Sequence, residues 1–315
     1  MKLTLKICAL TVLSILTVGV QAQTPTPTQR EPVMSHISHP HNYYWREMYL
    51  PQLTSGPSSA AFSPDGKAVI YSMQGSLWRQ DIESETAYQL TSGLAYDYQP
   101  DWSPNGGSVI FTRQVDNALH LTLLNLKTNQ ETRLTQGMST NLEPRWSPDG
   151  RKVAFISSSE SGYWGLYIAD LKDQALSKIR PLVAGRVSKQ DRYYYSQEDH
   201  AINPSWSPDE KSIYYVSNNE VSWGSGDIWS VSVAEPKSKT RVLVEETTWS
   251  ARPELSHDGK RLLYSSYQGR QWHQLWMTTT QGQSPLPLTF GDYDLQNARW
   301  SHDDKQLLYI SNETG

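Results

Sequence analysis

One five-residue phrase, met six times, limits what this chain can fold into. The copies are Phe62-Ser-Pro-Asp-Gly66, Trp102-Ser-Pro-Asn-Gly106, Trp146-Ser-Pro-Asp-Gly150, Trp206-Ser-Pro-Asp-Glu210, Leu255-Ser-His-Asp-Gly259 and Trp300-Ser-His-Asp-Asp304. Their serines are spaced by 40, 44, 60, 49 and 45 residues. A period in the forties marks a propeller or solenoid. Within the phrase, Pro presets φ, Asp or Asn bonds local backbone and Gly takes positive φ, so each copy is a tight hairpin turn.

Further landmarks recur in phase. A β-branched, aliphatic or aromatic run follows each turn, from Val69-Ile70-Tyr71 to Leu307-Leu308-Tyr309. An aliphatic–aromatic pair comes third: Leu77-Trp78, Leu166-Tyr167, Ile228-Trp229 and Leu275-Trp276, with His120-Leu121 in repeat two. A Leu-Thr or similar pair comes fourth: Leu90-Thr91, Leu134-Thr135, Leu182-Val183, Leu243-Val244 and Leu288-Thr289. The predicted fold is all-β: a six-repeat β-propeller of four-stranded antiparallel blades, its sixth blade incomplete at the C-terminus. An ordinary β-sandwich with chance turns does not account for landmarks kept in phase.

After Leu307–Ser311 the sequence ends at Gly315, where a third strand is due. Tyr49-Leu-Pro-Gln-Leu53-Thr54 ends in the same Leu-Thr as the fourth strands, so residues 42–54 can close the last blade. The expectation is the front part of a longer protein; the alternative is a complete ring closed by 42–54.

The start reads as an address. Lys2 and Lys6 precede an apolar run from Ile7 to Val20, and Val20-Gln21-Ala22 carries small residues at peptidase spacing. Residues 1–22 are read as a signal peptide, too short in its apolar part for a span. Residues 23–41 are a Pro- and Thr-rich flexible linker and 42–315 the propeller. The protein is therefore expected to be periplasmic or secreted, with no membrane span after signal removal. Its single Cys8 lies in the signal, so no disulfide is expected in the mature chain. Lys and Arg number 28 against 32 Asp and Glu, which excludes a nucleic-acid partner led by phosphate attraction. A mean hydropathy of −0.60 excludes a polytopic membrane protein.

Candidate binding residues fall where fourth strands connect to the next blade. From the Leu of the fourth landmark to the anchoring Ser, the connections measure 10, 13, 13, 25, 13 and 13 residues. The long one, in blade four, carries Tyr193, Tyr195, Asp199 and His200. Four residues before each anchoring Ser stands a polar residue: Ser59, Gln99, Glu143, Asn203, Arg252 and Asn297. Together with Trp249 and stretches such as Tyr96-Asp97-Tyr98 and Asp292-Tyr293-Asp294, these describe a polar ring with an aromatic rim at the channel mouth. Plain hydration of the strand starts explains the ring equally simply. His39-Pro-His41 has metal-ligand character, but it adjoins the linker without an acidic partner. Ser225 lies between glycines, yet Trp223 and Asp227 break the Gly-x-Ser-x-Gly elbow. No catalytic motif, metal site or cofactor is expected.

The phrase resembles the repeats of TolB-type propellers. Three segments, Asn42–Thr54, Glu245–Pro253 and Ser265–Trp276, together with the Tyr193–His200 loop, resemble the N-terminal propeller of exported amidohydrolase-like proteins over roughly residues 36–315. That resemblance implies a metal-dependent hydrolase domain beyond Gly315, none of whose catalytic residues has a counterpart here. The expected function is a protein- or peptide-binding or scaffold module, its partner a peptide, a protein or an appended hydrolase domain. The alternatives are a fragment of an amidohydrolase and the propeller of a prolyl oligopeptidase-type peptidase.

Overall fold

Alternation and turn chemistry produce strands throughout. The structure, a computed structural model, describes residues 56–115, 118–159, 161–190, 197–221, 226–243, 251–267 and 272–313. Blade one is β1 (Pro57–Phe62), β2 (Ala68–Met73), β3 (Ser76–Asp81) and β4 (Ala87–Gln89). Blade two is β5 (Tyr96–Trp102), β6 (Ser108–Val115), β7 (Ala118–Asn125) and β8 (Glu131–Arg133). Blade three is β9 (Asn141–Trp146), β10 (Lys152–Ser157), β11 (Gly165–Lys172) and β12 (Ala175–Val183). A two-stranded ribbon follows, β13 (Arg186–Val187) with β14 (Glu198–Asp199). Blade four is β15 (Ile202–Trp206), β16 (Ser212–Ser217), β17 (Asp227–Ser232) and β18 (Lys239–Leu243). Blade five is β19 (Glu254–Leu255), β20 (Arg261–Ser266), β21 (Gln274–Thr279) and β22 (Leu286–Pro287). The sixth repeat contributes β23 (Leu295–Trp300) and β24 (Leu307–Ser311).

Every sheet is an antiparallel meander in chain order, and the described residues contain no helix. The expected count of six blades is corrected: five sheets have four strands and the sixth repeat is a two-stranded sheet. Among the described residues it has no third or fourth strand, and residues 42–54, expected to close it, lie outside those residues. The contrast shows in side-chain burial. Phe111, Phe155, Tyr215 and Tyr264 at the aromatic position of the second strands are at most 1% exposed, whereas Tyr309 is 43% exposed.

The core lies between blade faces. Ile70 and Leu77 meet Val109, Phe111 and Leu124 between blades one and two. Ile110 and Leu123 meet Phe155 and Tyr167 across the next interface. A larger cluster runs from Tyr96 and Leu142 through Trp164 and Trp206 to Leu262. Burying such side chains stabilises each by roughly 1.5–3 kcal/mol, so face packing holds the ring without cross-links.

The Leu-Thr landmark proves to be a clamp just past the fourth strand. Leu90, Leu134 and Leu288 N–H groups donate to the carbonyls of Leu77, Leu121 and Leu275, each at 2.8 Å. The following Thr91, Thr135 and Thr289 hydroxyls accept the N–H of those same third-strand leucines at 2.9, 3.0 and 2.9 Å. No described helix is long and apolar enough to cross a membrane. The signal and linker expectations fall on residues outside the described set.

Candidate functional site

The inner strands β1, β5, β9, β15, β19 and β23 face the axis, and the predicted ring sits at or just before their bulged starts. Gln99, Glu143, Asn203, Arg252 and Asn297 all adopt positive φ, between 43° and 55°. Ladder register slips beside the ring position in β1, β5, β9, β15 and β23. A bulge re-aims a side chain, here toward the channel. Its sequence signal is the proline that follows in four repeats, Pro100, Pro144, Pro204 and Pro253, which cannot donate to a ladder.

All six ring residues line one small cavity of about 40 Å³. Their side chains join blade to blade. The Gln99 N–H donates to Ser59 Oγ at 2.9 Å, the Glu143 N–H to Gln99 Oε1 at 3.0 Å, and the Asn203 N–H to Glu143 Oε2 at 2.6 Å. Arg252 breaks the relay, because a guanidinium cannot accept. It reaches back to Glu143 Oε1 at 3.0 Å, and buried Asn203 Oδ1 has no partner among the described residues. Asn297 Nδ2 donates to the Ser58 carbonyl at 2.9 Å and so joins repeat six to blade one. The ring is thus a structural tie as much as a lining, and its space suits two or three waters or one small polar group.

Other sequence candidates are placed differently. Asp199 is buried and pairs with Arg186 at 3.0 Å, while the His200 N–H donates to Asn218 Oδ1 at 2.9 Å, so both secure the base of the blade-four insertion. Tyr193, Tyr195 and Trp249 lie outside the described residues. Tyr96 and Tyr98 belong to the core rather than a rim, and burial raises the Tyr98 phenol pKa strongly. Asp97 holds Arg113 with bonds of 2.6 and 2.8 Å. His273 is tied to Asp294, whose Oδ1 accepts its N–H at 2.8 Å.

Beneath the ring lies a feature the sequence reading missed. In five of the six repeats the residue two before the anchoring Ser is polar or charged and lines the axis: Asp101, Arg145, Ser205, Glu254 and Arg299. Arg145 meets Glu254 at 2.6 Å and Asp101 at 3.5 Å. Arg299 meets Glu254 at 3.4 Å and Asp101 at 3.7 Å. The four charges alternate in sign around the axis and form a septum. Burial raises both the Asp101 and the Glu254 pKa, against the pull of Arg145. Burial also opposes the Arg145 charge, but the two acids outweigh it and its pKa rises. The available signal is a charged residue two before the anchoring Ser in four of six inner strands.

On the far side of the septum, where the hairpin turns gather, a funnel of about 380 Å³ opens. Trp102, Trp146, Trp206 and Trp300 line it, with prolines of four turns and with His257 and His302, whose rings meet edge-on at 5.0 Å. This volume falls within the range of small-molecule sites and the ring cavity does not. Among the described residues no three His, Cys, Asp or Glu side chains group as a metal ion would need. His36, His39 and His41 lie outside those residues.

A family model described as TolB beta propeller domain matches residues 48–302. A solved structure from Agrobacterium tumefaciens described as TolB superposes with a TM-score of 0.65 at 19% identity, covering 82% of this chain and 90% of that one. The TolB of Acinetobacter baumannii gives 0.60 at 20% identity, over 78% of this chain and 57% of that one. A puromycin-hydrolyzing peptidase of Mycobacterium tuberculosis gives 0.54 at 17% identity, over 74% of this chain but 38% of its own. At such identities these are likenesses of fold. No curated protein matches the chain.

Proposed function

The chain belongs to the TolB beta propeller family, and on that premise we propose that it is an exported binding or scaffold module that docks a protein partner on its ring face. One observation carries this reading. The connections between blades leave large apolar side chains open on that face: Leu94 is 79%, Met138 69% and Phe290 64% exposed, and Val187 of the insertion ribbon joins them. Exposed apolar side chains on the connections that surround a polar centre are the makings of a protein interface. Export is inferred from the basic start and apolar run of residues 1–22.

The test is site-specific photo-crosslinking in the source cell. A crosslinker at Met138 is expected to trap a discrete partner, and one at Lys260 on the turn face is not. Equal labelling at both positions, or none at Met138, would falsify the reading. A second reading makes the propeller one part of a larger hydrolase, of the amidohydrolase or the prolyl oligopeptidase type. The match to the Mycobacterium tuberculosis peptidase, of which this fold is a minor part, favours it. Coding sequence past Gly315 with a His-x-His strand or a Gly-x-Ser-x-Gly elbow would support it.

A further inference from the structure

The septum, whose Arg145, Glu254 and Arg299 line both the ring cavity and the funnel, has a donor inventory that its own residues do not use. Asp101 Oδ2 accepts the Trp146 N–H at 2.8 Å, and its Oδ1 faces both guanidinium groups. Glu254 Oε2 takes Arg145 at 2.6 Å and also faces Arg299 and Ser205 at 3.4 Å each. Of the four carboxylate oxygens, Asp101 Oδ2 and Glu254 Oε2 accept hydrogen bonds, and Asp101 Oδ1 is engaged only by the two guanidinium charges at 3.5 and 3.7 Å. Among the donors, Arg145 Nη1 and Arg299 Nε and Nη2 have no partner among the described residues.

A pocket with surplus planar donors at its floor is complementary to an acceptor-rich group, and a guanidinium fork fits a carboxylate best. The septum's own charges cancel, so one added negative charge meets two arginines without opposing a net negative field. Above the floor, half-buried Trp102 and Trp146 and the proline ring offer flat, mostly apolar surface. We propose that this funnel binds a small carboxylic acid, its carboxylate on Arg145 and Arg299 and its body against Trp102 and Trp146. The site lies on the face opposite the proposed partner surface and does not depend on that reading.

The body of such an acid is either an apolar group or a sugar ring, and two probes separate these. Binding of 3-phenylpropionate and of glucuronate to the purified full chain is followed by tryptophan fluorescence and calorimetry. Each is compared with its neutral amide, 3-phenylpropionamide or glucuronamide. At least one acid is expected to saturate, with its amide weaker by about tenfold or more, the effect of a charge-assisted bond. The acid that binds identifies the body. Arg299→Lys, which keeps the charge but loses the fork, is expected to weaken that acid by a similar factor while the melting temperature reports folding. If neither acid saturates, or acid and amide bind alike, or a folded Arg299→Lys protein binds unchanged, the proposal fails. The acid–amide comparison on the unaltered chain decides the matter even if the variant does not fold.

Discussion

The five aspartates of the repeated phrase show how one residue type is tuned by its turn. In each, Ser Oγ donates to Asp Oδ1 at 2.6–2.7 Å. That bond, then a local N–H, lowers the pKa of Asp65, Asp209, Asp258 and Asp303 below 3.8; at Asp149 burial opposes the shift and is outweighed. A depressed folded pKa contributes stability above the ordinary carboxylate value and loses it as pH falls through the folded one. Asp101 and Glu254, raised by burial, have the opposite sign, contributing most at low pH and losing it as pH rises. Asn105 already accepts the Ser103 hydroxyl at 2.8 Å with no charge. Asp209→Asn is therefore expected to be nearly silent at neutral pH and to reduce the loss of stability below about pH 4. Melting curves from neutral to acid pH check this, and an unchanged acid limb would refute it. Two copies of the phrase lack glycine, and the structure gives the reason. Glu210 and Asp304 keep positive φ, at 59° and 57°. Glu210 Oε1 accepts the Asp149 N–H at 2.6 Å, and Asp304 the His257 and Asp258 N–H groups at 2.8 and 2.9 Å. Each exchanges glycine's freedom for a bond to the preceding turn.

At the scale of the strand, much was legible because the physics is local. Alternation and turn residues give the first and second strands from sequence alone. The third-strand pairs also hold, and even the exception His120-Leu121 lies in β7. The sequence pattern makes the Leu-Thr pair the end of a fourth strand, but in three blades it stands just beyond one, where its work is a side-chain bond rather than a ladder bond. Thr91 is 2% exposed and accepts a buried N–H. Thr91→Val is expected to cost about 1–3 kcal/mol, since the Leu77 N–H is left unsatisfied, and Thr91→Ser to recover most of that. Urea unfolding of the two variants measures it; equal losses would remove the clamp. The left-handed bulge at the ring position was not read because a polar residue before proline suggests extended backbone, and only the fold reveals the repeated register slip.

For the molecule as a whole, the ring positions emerged from repeat counting and the septum did not. A ring needs only one recurring offset, whereas the septum depends on which charges face one another across the axis, and that is set by blade number. Its energetics are testable. Arg145→Met leaves two buried acids short of a partner and is expected to cost about 3 kcal/mol or more. Adding Glu254→Leu leaves the Asp101–Arg299 pair, and most of the loss should return. Denaturant titration of both variants is the measure, and an additive double variant would contradict the coupling. The septum has a further consequence for how such a protein changes over evolutionary time. A hub blocked at mid-height insulates its two ends. Loops at one end can drift, lengthen or acquire a new recognition role without touching the pocket at the other end. The fold is less a conduit than two independent mounting plates fixed back to back on one axle.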